Sequence, residues 1–265
     1  MRLRITTWNA NSVRLRERAL RRIADEIRPD VLCLQEIKVE DARFPRELAE
    51  ALGYPHLHVH GQKAYHGVAV LAKLPLTACR THKWCRVDDC RHAVCELPGG
   101  IELHNLYVPA GGDVPDPEVN PKFRHKLDMV AALTDWYGAR KGDGARMVLV
   151  GDLNIAPLDT DVWSHRQLLD VVSHTPVETD GMRRWQQAYG FVDAVRAVVP
   201  PEQKLFTWWS YRNRDWAASD RGRRLDHVWL SPALAPALVT AEVRRDARGW
   251  DNPSDHVPVT VELEV

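Results

Sequence analysis

The sequence has no uncharged apolar run of the ~18 residues that a membrane span requires. It has no leader-like start either. Met1-Arg2-Leu3-Arg4-Ile5 alternates polar and apolar from the first residue and reads as a strand. Both absences point to a protein that stays in the cytoplasm and off membranes. Cysteine is scarce, with 5 residues and no C-x-x-C pair. An odd count without that spacing argues against a disulfide framework. Cys85, Cys90 and Cys95 do lie near His82 and His92. Their spacings are not those of zinc sites, and the stretch from His92 to Leu97 reads as a strand, so reduced structural thiols are expected. Net charge is also missing, because 36 basic side chains offset 36 acidic ones. That excludes a protein held on nucleic acid by bulk charge alone. It leaves room for an enzyme whose acidic metal pocket offsets a basic rim. No internal repeat, low-complexity tract or linker occurs, so residues 1–265 are expected to form one catalytic domain.

Apolar residues make up 45 % of the chain, enough for a sizeable core. Strands are expected over Leu3 to Trp8, Val31 to Leu34, Val68 to Ala72, Ala93 to Leu97, Ile101 to Val108 and Met147 to Val150. Further strands are expected near Leu205 to Trp208, Leu225 to Leu230, Leu238 to Val243 and Val257 to Leu263. Leu15, Ala19, Ile23 and Ile27 recur at helical spacing up to Pro29, and Phe44 to Leu52 ends at Gly53. Longer helices are expected from Pro121 to Arg140 and from Thr179 to Tyr189. Leu97-Pro98-Gly99-Gly100-Ile101 reads as a hairpin turn. Strands mixed with helices suggest α+β, with two sheets packed together and helices outside.

Charge is segregated along the chain. Arg212, Arg214, Arg221, Arg223 and Arg224 face only Asp215 and Asp220 in one loop, and Arg14, Arg16, Arg18, Arg21 and Arg22 form a second basic group. Each alone would read as a solvated face.

The polar residues carry more information. Apolar strands repeatedly end in, or open from, a short polar signature. Ile5-Thr6-Thr7-Trp8 leads to Asn9, Val31 to Leu34 leads to Gln35-Glu36, and Leu103 to Leu106 leads to Tyr107. Met147 to Val150 leads to Gly151-Asp152-Leu153-Asn154, while Leu225-Asp226-His227 and Ser254-Asp255-His256 open late strands. Singly, each has a bland alternative: a turn aspartate, an Asx-turn, a half-buried tyrosine. Together, strand ends can converge on one sheet edge. The set would hold Asn9, Glu36, Asp152, Asn154, Asp226, Asp255 and His256. Hard oxygen donors of this kind suit Mg²⁺ or Mn²⁺, and clustered carboxylates need a cation to stay ionised.

Several segments, in this order, resemble the exonuclease III family of apurinic/apyrimidinic endonucleases, within the wider endonuclease/exonuclease/phosphatase superfamily. They are Trp8-Asn9-Ala10-Asn11-Ser12-Val13-Arg14, Leu34-Gln35-Glu36-Ile37-Lys38, His66-Gly67-Val68-Ala69 and Asn105-Leu106-Tyr107-Val108-Pro109. The order continues through Gly151-Asp152-Leu153-Asn154-Ile155-Ala156-Pro157, Phe206-Thr207-Trp208-Trp209, Arg224-Leu225-Asp226 and Ser254-Asp255-His256. The resemblance implies a four-layer αββα sandwich and Mg²⁺ or Mn²⁺ dependence. It also implies a monomer acting on double-stranded DNA at abasic sites and 3′ ends. Two departures stand out: Ala110-Gly111-Gly112 follow the Tyr-x-Pro motif where relatives often carry an amide, and Arg223 occupies an often apolar pocket position.

On that resemblance, Glu36, with Asn9 and Asp255, is expected to hold the metal, with Asp152, Asn154 and His256 as adjoining ligands. Asp152 would orient or deprotonate water, and Asn154 would position it. His256, oriented by Asp226, would donate to a phosphate oxygen, and Tyr107 would either do the same or activate the leaving group. Asn11, Arg14, Lys38, Trp208, Arg212, Arg223, Leu225 and Trp250 are the expected DNA contacts, with Trp208 and Leu225 walling a pocket for an extruded sugar. One of Trp208 and Trp209 is expected in the core. The competing readings are a superfamily phosphatase acting on another phosphoester and a catalytically dead DNA-binding module.

Overall fold

The computed structural model describes residues 1–84, 87, 89–213 and 215–265; Cys85 and Arg214 lie outside the described residues. In chain order the strands are β1 (Arg2–Asn9), β2 (Val31–Gln35), β3 (His56–His60), β4 (Val68–Ala72), β5 (Thr77–Thr81), β6 (His92–Leu97) and β7 (Ile101–Tyr107). They continue with β8 (Arg146–Asp152), β9 (Val192–Asp193), β10 (Trp208–Trp209), β11 (Gly222–Arg223), β12 (Asp226–Leu230), β13 (Leu238–Val243) and β14 (Val259–Glu264). The helices are α1 (Glu17–Arg22), α2 (Arg46–Ala51), α3 (Pro121–Ala139), α4 (His165–Leu168), α5 (Pro176–Tyr189), α6 (Ala194–Val198) and α7 (Trp216–Ser219).

Two six-stranded mixed sheets form, ordered β13-β14-β1-β2-β4-β3 and β5-β6-β7-β8-β12-β9. The period of two along each strand sorts the side chains into layers. Leu3, Ile5, Val31 and Cys33 of one sheet meet Leu103, Val148, Val150 and Val228 of the other in a single core between the sheets. The alternate residues point outward. Trp8, Leu32 and Leu34 pack with Ala19, Leu20 and Ile23, and Met147, Leu149 and Trp229 pack with Leu133, Tyr137 and Trp185. The result is the αββα sandwich that the sequence implied. No helix of the described residues is long and apolar enough to cross a membrane.

The same alternation positions the polar residues. Asn9, Tyr107, Asp152 and Asp226 have the parity of Ile5, Leu103, Val150 and Val228, so they fall in the inter-sheet layer, where it meets the sheet edge. Tyr107 pairs with Asp152 across β7 and β8, and Asp152 pairs with Asp226 across β8 and β12. Gly151 is required here, because a Cβ would lie 1.8 Å from the Leu106 carbonyl oxygen.

Several expectations shift. Residues Leu205 to Trp208 do not form a strand; only Trp208–Trp209 pairs, with Gly222–Arg223. Chain geometry at Pro258 delays the last strand to Val259. The helix expected from Thr179 starts at Pro176, where Thr175 and Glu178 form a reciprocal cap and proline fits the first turn. Strand β3 is not among the expected strands: Leu57 and Val59 alternate with three histidines over only five residues, and only Val59 is buried. Between β5 and β6, both ring nitrogens of His92 are engaged, by Trp84 Nε1 and His104 Nδ1 at 3.0 Å each. No disulfide joins the described cysteines.

Candidate active site

A cleft of about 830 Å³ opens at the strand ends and is lined by Glu36, Tyr107, Asp152, Asn154, Asp255 and His256, with Trp208, Arg212, Arg223 and Leu225 around them. Ten residues singled out from the sequence thus share one cavity. Asn9 and Asp226 are fully buried just behind its wall.

Asp152 is the most heavily braced. It accepts hydrogen bonds from Asn9 Nδ2 (2.9 Å), Asn154 N (3.0 Å) and Asn154 Nδ2 (3.1 Å). Asn9 Nδ2 also donates to Glu36 Oε1 at 2.9 Å, while Asn9 Oδ1 accepts from Asn11 N. Asn9 therefore bridges two carboxylates with its amide nitrogen, and its oxygen is turned to the backbone. Glu36 Oε1 further accepts from the Tyr107 hydroxyl at 2.9 Å, and Lys38 Nζ sits 2.8 Å from Glu36 Oε2. His256 Nδ1 meets Asp226 Oδ2 at 2.8 Å, and His256 Nε2 lies 3.7 Å from Asp152 Oδ2. Thr207 Oγ1 donates to Asp226 Oδ2 at 2.6 Å and accepts from Asp226 N. Trp8 Nε1 fixes the His256 carbonyl at 3.1 Å.

Burial pushes the Asp152 carboxyl up. Burial alone would lower His256, yet Asp226 and Asp152 outweigh it and hold the imidazole protonated above its ordinary range. Glu36 goes the other way: burial opposes ionisation, but the Lys38 ammonium and the Asn9 amide keep it below the usual glutamate value. Tyr107 is pushed well up, by burial first and then by Glu36 and Asp152. The buried wall thus holds a neutral phenol, an imidazolium and a set of carboxylates.

The donor set fits a hard divalent cation. Glu36, Asp152, Asp226 and Asp255 bring four carboxylates together, and among the described residues Lys38 and His256 are the ones ion-paired with them. Asp226 Oδ1 is buried without a hydrogen-bond partner among the described residues. A Lys ammonium already lies against Glu36, which marks that oxygen as a position favouring positive charge.

The backbone around this wall is strained. Asn11 (φ 44°), Glu36 (φ 49°), Lys38 (φ 54°) and Asn154 (φ 53°) all adopt the left-handed region, at roughly 1–3 kcal/mol each. The Ser12 N–H to Glu36 O bond (2.8 Å) and the Lys38 N–H to His66 O bond (3.0 Å) hold the loops in place. Gly67 follows His66 because a Cβ there would come within 2.5 Å of Ile37.

The expected DNA contacts divide. Trp208, Arg212, Arg223 and Leu225 line the cleft, and Trp208 Nε1 donates to Asp255 Oδ2 at 3.0 Å. Trp209 is the core tryptophan of the pair, at 1 % exposure. Asn11 and Lys38 flank the carboxylates, with Asn11 Nδ2 3.0 Å from Asp255 Oδ1 and Lys38 Nζ 2.5 Å from Asn11 Oδ1. Arg14 is exposed outside the cleft. Trp250 is a correction: it does not line the groove but is buried under the Arg22 guanidinium, 4.4 Å from its ring. Arg224 also leaves the basic rim, because it is buried against Asp161 and Asp193. Arg16 is buried on Tyr211 and Asn252, and Arg18 and Arg21 pair with Asp251 and Glu17. Within the second basic group, Arg18, Arg21 and Arg22 are thus ion-paired, the last with Glu26.

Sequence reasoning missed Trp163, Val172 and Ser173, which line the cleft from the segment before α5, and Thr207, which anchors Asp226. The adjacent Phe206-Thr207-Trp208-Trp209 motif held the signal for Thr207; no motif marked the other three. Arg223 donates to the Val172 carbonyl (2.9 Å) and Ser173 Oγ (2.7 Å), so the departure at this position ties that segment to the cleft wall.

A model of the endonuclease/exonuclease/phosphatase family matches residues 6–256. The chain is 31 % identical to exodeoxyribonuclease III of Haemophilus influenzae, over 99 % of this chain and 100 % of that one. Its fold is similar to that of an AP endonuclease from Archaeoglobus fulgidus, with a TM-score of 0.91 at 28 % identity over 99 % and 100 % of the two chains. It is also similar to the 3′ phosphatase NExo from Neisseria bound to a product DNA hairpin, with a TM-score of 0.89 at 30 % identity over 99 % and 100 %.

Proposed function

Because this chain belongs to the endonuclease/exonuclease/phosphatase family, in its exodeoxyribonuclease III and AP endonuclease branch, we propose that it is a metal-dependent DNA phosphodiesterase of base excision repair. Its substrates are duplex DNA with abasic sites, cut on the 5′ side, and 3′ ends, which it trims or dephosphorylates. We take residues 1–265 as one catalytic domain, acting as a cytoplasmic monomer. The core between the sheets, running from Leu3 to Leu263, supports one domain.

The observation that carries this reading is the pairing of Asp152 with the Asp226–His256 dyad across 3.7 Å in a cleft that Glu36 also lines. Such a pairing suits in-line hydrolysis. Glu36 and Asp255, with Asp152 and Asn154 adjoining, are the groups that would hold Mg²⁺ or Mn²⁺; His256, expected among them, is a protonated donor with no lone pair to offer a cation. When bound, that ion neutralises phosphate charge and stabilises the leaving oxygen. Asp152 takes the proton of the attacking water, and Asn154, anchored on Val108 O at 2.9 Å, keeps Asp152 oriented. His256 Nε2 donates to a non-bridging phosphate oxygen, and Asp226 holds the ring through Nδ1. Tyr107, kept neutral, supplies a second hydroxyl donor.

A specific observation favours 3′-phosphate removal as an accompanying activity. Arg223 lines the cleft with its guanidinium 5.4 Å from the Trp208 ring and its Nη1 tied to the wall, so a terminal phosphate entering there would meet a fixed cation.

The test is cleavage of an end-labelled duplex carrying one abasic analogue, beside a nicked duplex ending in a 3′ phosphate, with and without Mg²⁺. Mg²⁺-dependent products whose lengths report incision or end trimming are expected, and chelator should stop cleavage while leaving DNA binding. Hydrolysis of soluble phosphoesters with both duplexes untouched would sink the proposal.

A further inference from the structure

The segment that sequence motifs did not mark holds a second group of metal-ligand atoms. His174, at the end of the loop before α5, is 2 % exposed. Its Nδ1 lies 2.6 Å from the Ala156 carbonyl oxygen. A carbonyl only accepts, so Nδ1 carries the hydrogen and Nε2 presents a lone pair. That lone pair faces His165 Nδ1, the first residue of α4, at 2.8 Å. His165 Nδ1 in turn lies 3.2 Å from Asp159 Oδ1. The three ligand atoms all fall within 4.8 Å of one another, and the two imidazole planes stand at 84°, so neither ring blocks the other's approach to a shared point. None of the three residues lines the catalytic cleft.

We propose that Asp159, His165 and His174 form a binding site for one borderline transition-metal ion, Zn²⁺ before others, separate from the catalytic carboxylates. Two imidazoles and one carboxylate are the ligand chemistry of zinc rather than of Mg²⁺, which prefers all-oxygen shells and keeps its waters. Tetrahedral coordination at the usual Zn–N distance sets ligand atoms about 3.3 Å apart. Two of the present spacings, 2.8 Å and 3.2 Å, need only a small spread. Asp159 and His165, whose side chains are 75 % and 42 % exposed, can supply it while buried His174 stays fixed. The His174 Nδ1–carbonyl bond is the outer support that orients a zinc-ligating histidine. On binding, the hydrogen on His165 Nδ1 moves to Nε2, so the ring's charge does not change. The fourth position is left to water.

The site ties one cleft wall together. Asp159 and His165 flank Trp163, and His174 follows Val172 and Ser173; Trp163, Val172 and Ser173 line the catalytic cleft. Ser173 O also accepts from Ala156 N at 2.8 Å. An ion joining the two ends of this segment makes it a rigid wall for the substrate.

The test is titration of the metal-stripped full chain with Zn²⁺ in excess Mg²⁺, followed calorimetrically, with variants His165→Ala, Asp159→Asn and Glu36→Gln. Both substituted side chains of the proposed site are exposed enough to be replaced without loss of fold, and thermal melts check this. Wild type should take up one Zn²⁺ per chain at this site. His165→Ala should weaken uptake at least about 100-fold and Asp159→Asn about 10-fold, while Glu36→Gln leaves it intact. Co²⁺ in place of Zn²⁺ should give the intense visible absorption of a four-coordinate site in wild type and Glu36→Gln alone. No uptake by wild type, unchanged affinity in His165→Ala, or loss of uptake in Glu36→Gln would each overturn the proposal.

Discussion

Asp152 and its asparagine neighbours make a nearly self-contained unit. Its carboxylate is held by three N–H donors, from Asn9 and Asn154. Asp152→Asn keeps the shape but removes the proton acceptor. Turnover should fall by on the order of 10²–10³-fold or more while DNA affinity stays near wild type. Single-turnover cleavage set beside a binding isotherm checks this, and parallel losses in both would remove Asp152 from the chemistry. The same logic applies to His256, which Asp226 orients and, together with Asp152, keeps protonated, while Thr207 holds Asp226. His256→Ala and Asp226→Ala should each cost on the order of 10²-fold or more in kcat. The double variant should be little worse than the more damaged single one, because the pair works as a unit. Multiplying losses in the kinetic cycle would show two independent roles.

At the scale of elements, the helices on the outer face do more than cover a sheet. Lys126 of α3 and Glu178 of α5 are both fully buried and form an ion pair. Lys126 Nζ also donates to Asn154 O at 2.7 Å, and Glu178 accepts from Ser173 N and Thr175 N. Burial lowers the Lys126 pKa and Glu178 pushes it back. This one pair links two helices, the Asn154 turn and the cleft wall. Lys126→Met leaves a buried carboxylate without its cation, which should destabilise the fold by about 3–5 kcal/mol. Urea unfolding reads that loss directly. A cost under ~1 kcal/mol would mean that the backbone donors around Glu178 suffice alone.

The whole molecule carries a pH dependence that the active site does not explain. Glu102 of β7 meets His104, Arg80 and Arg140, so it connects β5, β7 and the end of α3. Burial opposes its ionisation, but the His104 and Arg140 hydrogen bonds outweigh that and hold it well below the ordinary glutamate value. A depressed folded-state pKa adds stability above the unfolded value of about 4.3. That stability drains away as pH falls below it toward the folded pKa. Glu102→Gln should therefore be less stable than wild type at pH 7, and the gap should narrow as pH drops toward 3. Denaturant midpoints at both pH values test the sign, and a gap that widens in acid would contradict it.

What the residue order determined was the list of chemical groups and their periodicity. The order alone placed Asn9 after the apolar stretch Leu3 to Trp8 and Asp152 after Met147 to Val150, as polar residues at strand ends. The Gly-Asp-Leu-Asn and Ser-Asp-His runs marked where strands meet the cleft. What only the tertiary structure decided was which groups neutralise one another. Arg224 belongs to Asp161 and Asp193, Trp250 lies under Arg22, and Asn9 spends its amide on two carboxylates rather than presenting its oxygen to a cation. Lys126 and the segment from Asp159 to His174 carried no local pattern, because their partners lie far along the chain or in an irregular loop. Local periodicity is set by the backbone and can be read residue by residue. Charge pairing and desolvation depend on distances across the fold, which exist only once the two sheets have closed on each other.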